Sequence, residues 1–202
     1  MSILSRGFLL WLPLAISVTG VCLLVYGAVQ QNYRQSLNDP QVQMAEDAAR
    51  ALSAGAVPAS VIPHGTPAVD IASSLSPYLA VYDDKGLMLE SSATLGNAPL
   101  PHPPGGVFDA ALQNQGKDTS IPGQNRVSWE PTPGLRSAIV TQHFSGTHSG
   151  FVVVGRNMRE VEKREQQLAN FVLVAWIALL ATTFFAKIFS TFWFKNIDSN
   201  IF

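Results

Sequence analysis

The chain has 202 residues, of which 47% are hydrophobic and only 13% charged, with a formal net charge of -1 at pH 7. Its 13 Lys and Arg are scattered among 14 Asp and Glu, so no basic patch is available to neutralise a phosphate backbone and nucleic acid is excluded as a partner. A charged fraction about half that of an ordinary soluble domain fits a chain partly solvated by lipid, and the residues outside two apolar runs suffice for one globular domain.

The first run, residues 8–29, reads FLLWLPLAISVTGVCLLVYGAV and carries no charge. As a helix it would extend about 33 Å, enough to cross the hydrocarbon core. A cleaved signal peptide would have a shorter apolar centre and a clearer small-residue site than the one around Val25 and Gly27, so an uncleaved anchor is expected. Pro13 is read as lying in the first turn, where its missing N–H costs little, and Trp11 and Tyr26 mark the two interfacial levels. Cys22 is the only cysteine. It allows no intramolecular disulfide or cysteine metal site and reads as a small apolar helix residue.

After this run, residues 30–38 are polar and prolong the helix. Asp39-Pro40 then reads as a cap with proline at the first position of a second helix. Its apolar stripe is Val42, Ala45, Ala49 and Leu52, and it ends at Gly55. Residues 56–76 are broken by Pro58, Pro63 and Pro67 and read as loop, with a short helix over 69–75. At Tyr78 the period changes: YLAVY, DDKG, LMLES predicts a hairpin over 78–91. A proline- and glycine-rich loop over 95–106 leads to a short helix over 107–115, with Val107, Phe108, Ala111 and Leu112 at helical spacing and Gly116 as its stop. Three further strands follow, over 126–130, 135–144 and 150–156, the first alternating cleanly with Val127 and Trp129 on one face. Residues 131–134 and 145–149 supply the turns. Five strands with helices on one side predict an α+β domain with its own core.

From Asn157 a charged helix runs without a break into the second apolar run, FVLVAWIALLATTFFA from Phe171 to Ala186. With residues 168–170 and a snorkelling Lys187 the span becomes 168–187. Phe189, Phe192, Trp193 and Phe194 with Lys195 read as an interfacial belt. Met158, Val161, Glu165, Leu168, Val172, Ala175 and Leu179 recur at alternating three- and four-residue steps. They mark a seam for a homodimer, the alternative being a solvated stalk. Two spans put both termini on one side. Arg6, Lys187 and Lys195 favour the cytoplasm for both ends, but Arg34, Arg159, Lys163 and Arg164 flank the spans on the other side, so charge alone does not orient the chain.

This order of elements, together with the segments PYLAVYDDKGLMLESSATLGN, PPGGVFDAALQNQGK, NRVSWEPTPGLRSAIV and GFVVVGRNMREVEKREQQL, resembles the extracytoplasmic sensing half of bacterial sensor histidine kinases, with a Cache-type domain related to the PAS fold. The resemblance covers about residues 57–181. It implies a multi-pass protein of the bacterial inner membrane: cytoplasmic 1–7, span 8–29, an extracytoplasmic five-stranded antiparallel domain with a helical stalk over 30–167, span 168–187 and a cytoplasmic tail over 188–202. Such kinases continue with a phosphoacceptor histidine helix and a glycine-rich ATP domain. Here about 16 residues follow the span, and His64, His102, His143 and His148 all lie in the middle domain. Kinase activity is therefore not expected, and output would pass through a histidine kinase or other membrane partner. The competing readings are an accessory subunit of a kinase or transporter, a truncated kinase remnant without function and, last, an extracytoplasmic hydrolase.

No nucleophile elbow, carboxylate pair or phosphate-cradling glycine motif stands out, and the histidines have neither i, i+4 spacing nor a cysteine nearby. They read as solvated loop residues, and neither enzymatic activity nor a cofactor or metal is expected. The resemblance places a ligand pocket over the sheet, beneath the loop carrying the short helix. The candidate ligand-binding residues are Trp129, to stack on a ligand, and Arg126 and Arg136, to meet an anion. A core position for Trp129 and surface positions for the arginines are the competing reading.

Overall fold

The computed structural model describes residues 3–63, 67–113 and 122–198, with side chains described from Gly7 to Tyr33, from Pro40 onward and up to Trp193. In chain order the elements are α1 (Ile3–Ser53), α2 (Pro58–Val61), β1 (Val69–Asp70), β2 (Tyr78–Asp83), β3 (Met88–Ser91), β4 (Ala93–Leu95), β5 (Ala98–Pro99), α3 (Gly106–Gln113), β6 (Gln124–Thr132), β7 (Leu135–Phe144), β8 (Gly150–Asn157) and α4 (Arg159–Asp198). The chain divides into two compact units, residues 1–33 with 163–202, and residues 34–162.

The first unit is a pair of apolar helical segments, and two stretches, Gly7–Tyr33 and Arg159–Trp193, are long and apolar enough to cross a membrane. The indole N–H of Trp11 donates to the Thr183 hydroxyl at 3.0 Å, and that of Trp176 donates to the Thr19 hydroxyl at 2.9 Å. Each threonine in turn donates within its own helix, Thr19 to the Ala15 carbonyl and Thr183 to the carbonyls of Leu179 and Leu180. Trp11 also meets Phe184 edge-on, with ring centroids 5.3 Å apart. The helix begins by Ile3, which puts Pro13 in its interior rather than in the first turn.

The expected break at Asp39-Pro40 is absent, because α1 is one helix of 51 residues. An interior proline removes one backbone bond and crowds the carbonyl a turn earlier, at a cost of about 3 kcal/mol. A buried stripe offsets that cost. Ala45, Ala48, Ala49 and Leu52 pack with Leu79, Val81, Val140, Phe144, Val152 and Val154 on one face of the sheet.

That sheet has the order β3-β2-β8-β7-β6, with every neighbouring pair antiparallel. The expected hairpin forms with a bulge between Val81 and Tyr82. The strand over 135–144 matches its expected bounds, and those at 126–130 and 150–156 extend to 124–132 and 150–157. Central β8 reads as an unbroken apolar run because it is covered on both faces. The helices therefore do not lie on one side. α1 covers the first face, while α3 covers the second, where Phe108 and Ala111 join Tyr78, Ala80, Tyr82, Trp129, Ile139, Phe151 and Val153 in one core cluster.

Residues 69–75 are not a helix. Val69 and Asp70 pair in parallel with Ala93 and Thr94 in a small sheet β1-β4-β5, and the Asp70 carboxylate then closes a turn. It accepts from the N–H groups of Ala72 and Gly96 and from the Ser73 hydroxyl. These three donors hold the Asp70 carboxyl below its ordinary pKa, the Gly96 N–H foremost. A short side chain that satisfies the backbone locally competes with helix formation. The last residues of the expected helix over 107–115 lie outside the described residues, as does His64.

Candidate functional site

Side chains on a strand alternate between faces, so Tyr78, Ala80 and Tyr82 of β2 share the second face of the sheet. Their β8 partners are Gly155, Val153 and Phe151, and the β7 residues beyond these are Ile139, Thr141 and His143. Ser137 and Asn157 pair one step further along. Glycine at 155 is required here. A Cβ on it would lie 2.2 Å from Cζ of Tyr78 and 2.3 Å from the phenol oxygen, so the tyrosine ring lies across the β8 backbone.

Four hydroxyls are thereby enclosed on one face. Tyr78 is 1% exposed, and Tyr82, Ser137 and Thr141 are fully buried; the Tyr78 and Ser137 hydroxyls lie within reach of each other, while those of Tyr82 and Thr141 have no protein hydrogen-bond partner. Folded proteins leave few such groups, and each costs about 1–3 kcal/mol. Burial pushes the Tyr78 phenol up to about 12, opposed by the nearby Ser137 hydroxyl. Burial also raises Tyr82, with the neighbouring Tyr78 acting in the same direction. Both phenols stay protonated near neutral pH and retain a proton to donate. No ionised side chain is buried on this face among the described residues.

Amide side chains secure the cover. Asn125 Nδ2 donates to the Val107 carbonyl at the start of α3, and Asn157 Nδ2 donates to the Ile71 carbonyl. At the rim, the exposed His102 packs edge-on against Tyr82 and Phe108, its ring nitrogens facing the carbonyls of Pro103 and Gly86. His102 is thus ordered by its neighbours rather than a free loop residue. His143 lies in β7 against Phe151, and His148 is exposed in the turn.

The three residues singled out from sequence do not converge. Trp129 lies on the hydroxyl-bearing face, 7% exposed and inside the core cluster. Arg126 pairs in register with Val140, which places it on the opposite face, and its Nε donates to Gln124 Oε1. Arg136 forms an ion pair with Glu162 at 3.0 Å, both half-exposed. Sequence reading missed the hydroxyls, although period-two alternation alone sets Tyr78 with Tyr82 and Ser137 with Thr141. The missing signal was the glycine opposite Tyr78, visible only once the register of β2 on β8 is known. Among the described residues no three His, Cys, Asp or Glu side chains come together. Comparison with known proteins gives no match, whether to a family model, a curated protein or a solved structure.

Proposed function

We propose that the chain is a two-span sensor of a bacterial membrane whose outer, PAS/Cache-like domain binds a small, uncharged, hydrogen-bonding molecule over the hydroxyl-bearing face and relays its occupancy to a separate signalling protein. The observation that carries this reading is the set of four buried hydroxyls gathered on one covered face, of which Tyr82 and Thr141 have no protein partner and Tyr78 and Ser137 have only each other. Such groups persist in a fold when something other than stability keeps them. The strand order also supports it: counted along the chain, the strands lie second, first, fifth, fourth, third, so the first and last are adjacent and the last leads into α4. The two apolar stretches support placement in a membrane. A neutral ligand follows from the chemistry. Hydroxyls both donate and accept, whereas a buried ion without a counter-charge is costly to desolvate.

A thermal-shift screen of the full chain in lipid nanodiscs tests this, with polyols and primary amides in one arm and carboxylates and phosphates in the other. Ligand at about a hundred times its Kd adds roughly 2.7 kcal/mol of stability. A member of the neutral arm should raise Tm in the wild type and fail to do so in Thr141→Val and Ser137→Ala. Without ligand, Thr141→Val should be at least as stable as the wild type because it removes an unpaired hydroxyl, and Ser137→Ala, which also takes a neighbour from the Tyr78 phenol, should stay within about 1 kcal/mol of it. Stabilisation by anions alone, or by neither arm, would overturn the reading.

A further inference from the structure

Where β8 passes into α4, three side chains grip one short segment. Asn157 Nδ2 donates to the carbonyl of Ile71 at 2.8 Å, Arg159 Nη2 to that of Ser73 at 3.2 Å, and Arg156 Nε to that of Leu75 at 2.8 Å. They take alternate carbonyls of residues 71–75. Asn157 has a second role, because its Oδ1 accepts the Arg159 N–H at 2.8 Å and so caps the start of α4. At 4% exposed it is buried, and an amide so enclosed is fixed by its bonds.

The far side of the same segment belongs to the cover of the hydroxyl-bearing face. Ile71 is 1% exposed and packs in the cluster with Tyr78, Tyr82 and Trp129. The turn that follows is set by Asp70, whose three bonds to Ala72, Ser73 and Gly96 all lie outside α4. An open cleft of about 320 Å³ separates this turn from the β6–β7 turn; it is lined by Ala72, Leu95, Pro133, Arg136, Arg159 and Glu162. The segment therefore has room to shift on one side while its carbonyls are held on the other.

We infer that residues 71–75 are the coupling element between the covered face and α4, with Arg156, Asn157 and Arg159 as its grip. This rests on the ligand reading for its biological meaning, but the coupling itself is a property of the unliganded fold. A ligand that displaces Ile71 must strain or release these three bonds, and Asn157 then gives up the cap of α4. Two elements joined in this way bias each other reciprocally.

Amide hydrogen exchange on the full chain in nanodiscs, without ligand, tests the joint in both directions. In Asp70→Ala, which breaks no bond of α4, exchange at residues 159–162 should quicken about tenfold while β2, β7 and β8 stay protected. In Asn157→Ala, exchange at 71–75 should quicken by a similar factor. If Asp70→Ala also opens the sheet, Ser73→Ala, which removes one bond to Asp70, makes the same comparison. Faster exchange at 71–75 with residues 159–162 unchanged would overturn the inference. Such a result would leave the ligand reading standing, and a failed ligand screen would leave the joint standing.

Discussion

Gly155 faces Tyr78 across the β2–β8 pair, with no room for a side chain between them. Gly155→Ala should expel the phenol from the face and destabilise the sheet-bearing unit by about 1–3 kcal/mol, as overpacking of a dense core does. Combining it with Tyr78→Ala should recover part of that loss, and a double-mutant cycle from denaturant melts measures the coupling. Additive effects would mean that the ring does not lie over the glycine. The phenols also set an alkaline limit. Tyr78 has its folded pKa raised to about 12 from an ordinary 10.0, and Tyr82 shifts in the same direction. A raised folded value means that the folded state holds the proton more tightly. The contribution is complete below about pH 10 and is lost as pH rises through about 12. A soluble piece spanning residues 38–167 contains these two tyrosines and no others. Its phenolate absorbance should rise together with loss of circular dichroism, whereas phenolate appearing in a still-folded domain would contradict the burial.

At the scale of elements, Pro40 separates two descriptions of α1. If the helix restarted there, Pro40→Ala would be close to neutral. In the continuous helix it sits mid-element, and alanine restores an N–H and removes a clash, so a gain of up to about 3 kcal/mol in the sheet-bearing unit is expected by thermal melting. Sequence reading failed at this point for a definite reason. Asp-Pro is a strong local start signal, but the stripe from Ala45 to Leu52 is buried on a sheet whose nearest residue in that cluster, Leu79, lies 27 positions beyond Leu52, and that burial overrides local preference. The same applies to residues 69–75, where the Asp70 turn depends on Gly96, 26 positions away. Strands were legible where alternation or branched residues carried the signal within a few positions, as in β2, β7 and β8. Of the residues singled out for the site, Trp129 alone lies on the hydroxyl-bearing face, as a core side chain. The hydroxyl cluster requires register, and register is not local.

For the whole molecule, the proposed arrangement puts both ends in the cytoplasm and the sheet outside. A reporter active only outside the cytoplasm should be active when inserted after Gly116 and silent after Phe202; the reverse pattern would invert the topology. The seam expected for a homodimer is already partly occupied within the chain. Val161 is 8% exposed, and Val172 lines a groove with Thr19, Cys22 and Tyr26, while Ala175 and Leu179 remain open. The two indole bonds of the helix pair restrict how it can move. Each helix lends a tryptophan to a threonine of the other, and within the proposed bilayer neither N–H would have water to fall back on. An axial stroke of one helix past its neighbour would stretch both bonds at once, whichever way it ran. The pair is latched against sliding, which leaves tilting or turning as a single shaft as the movement open to it.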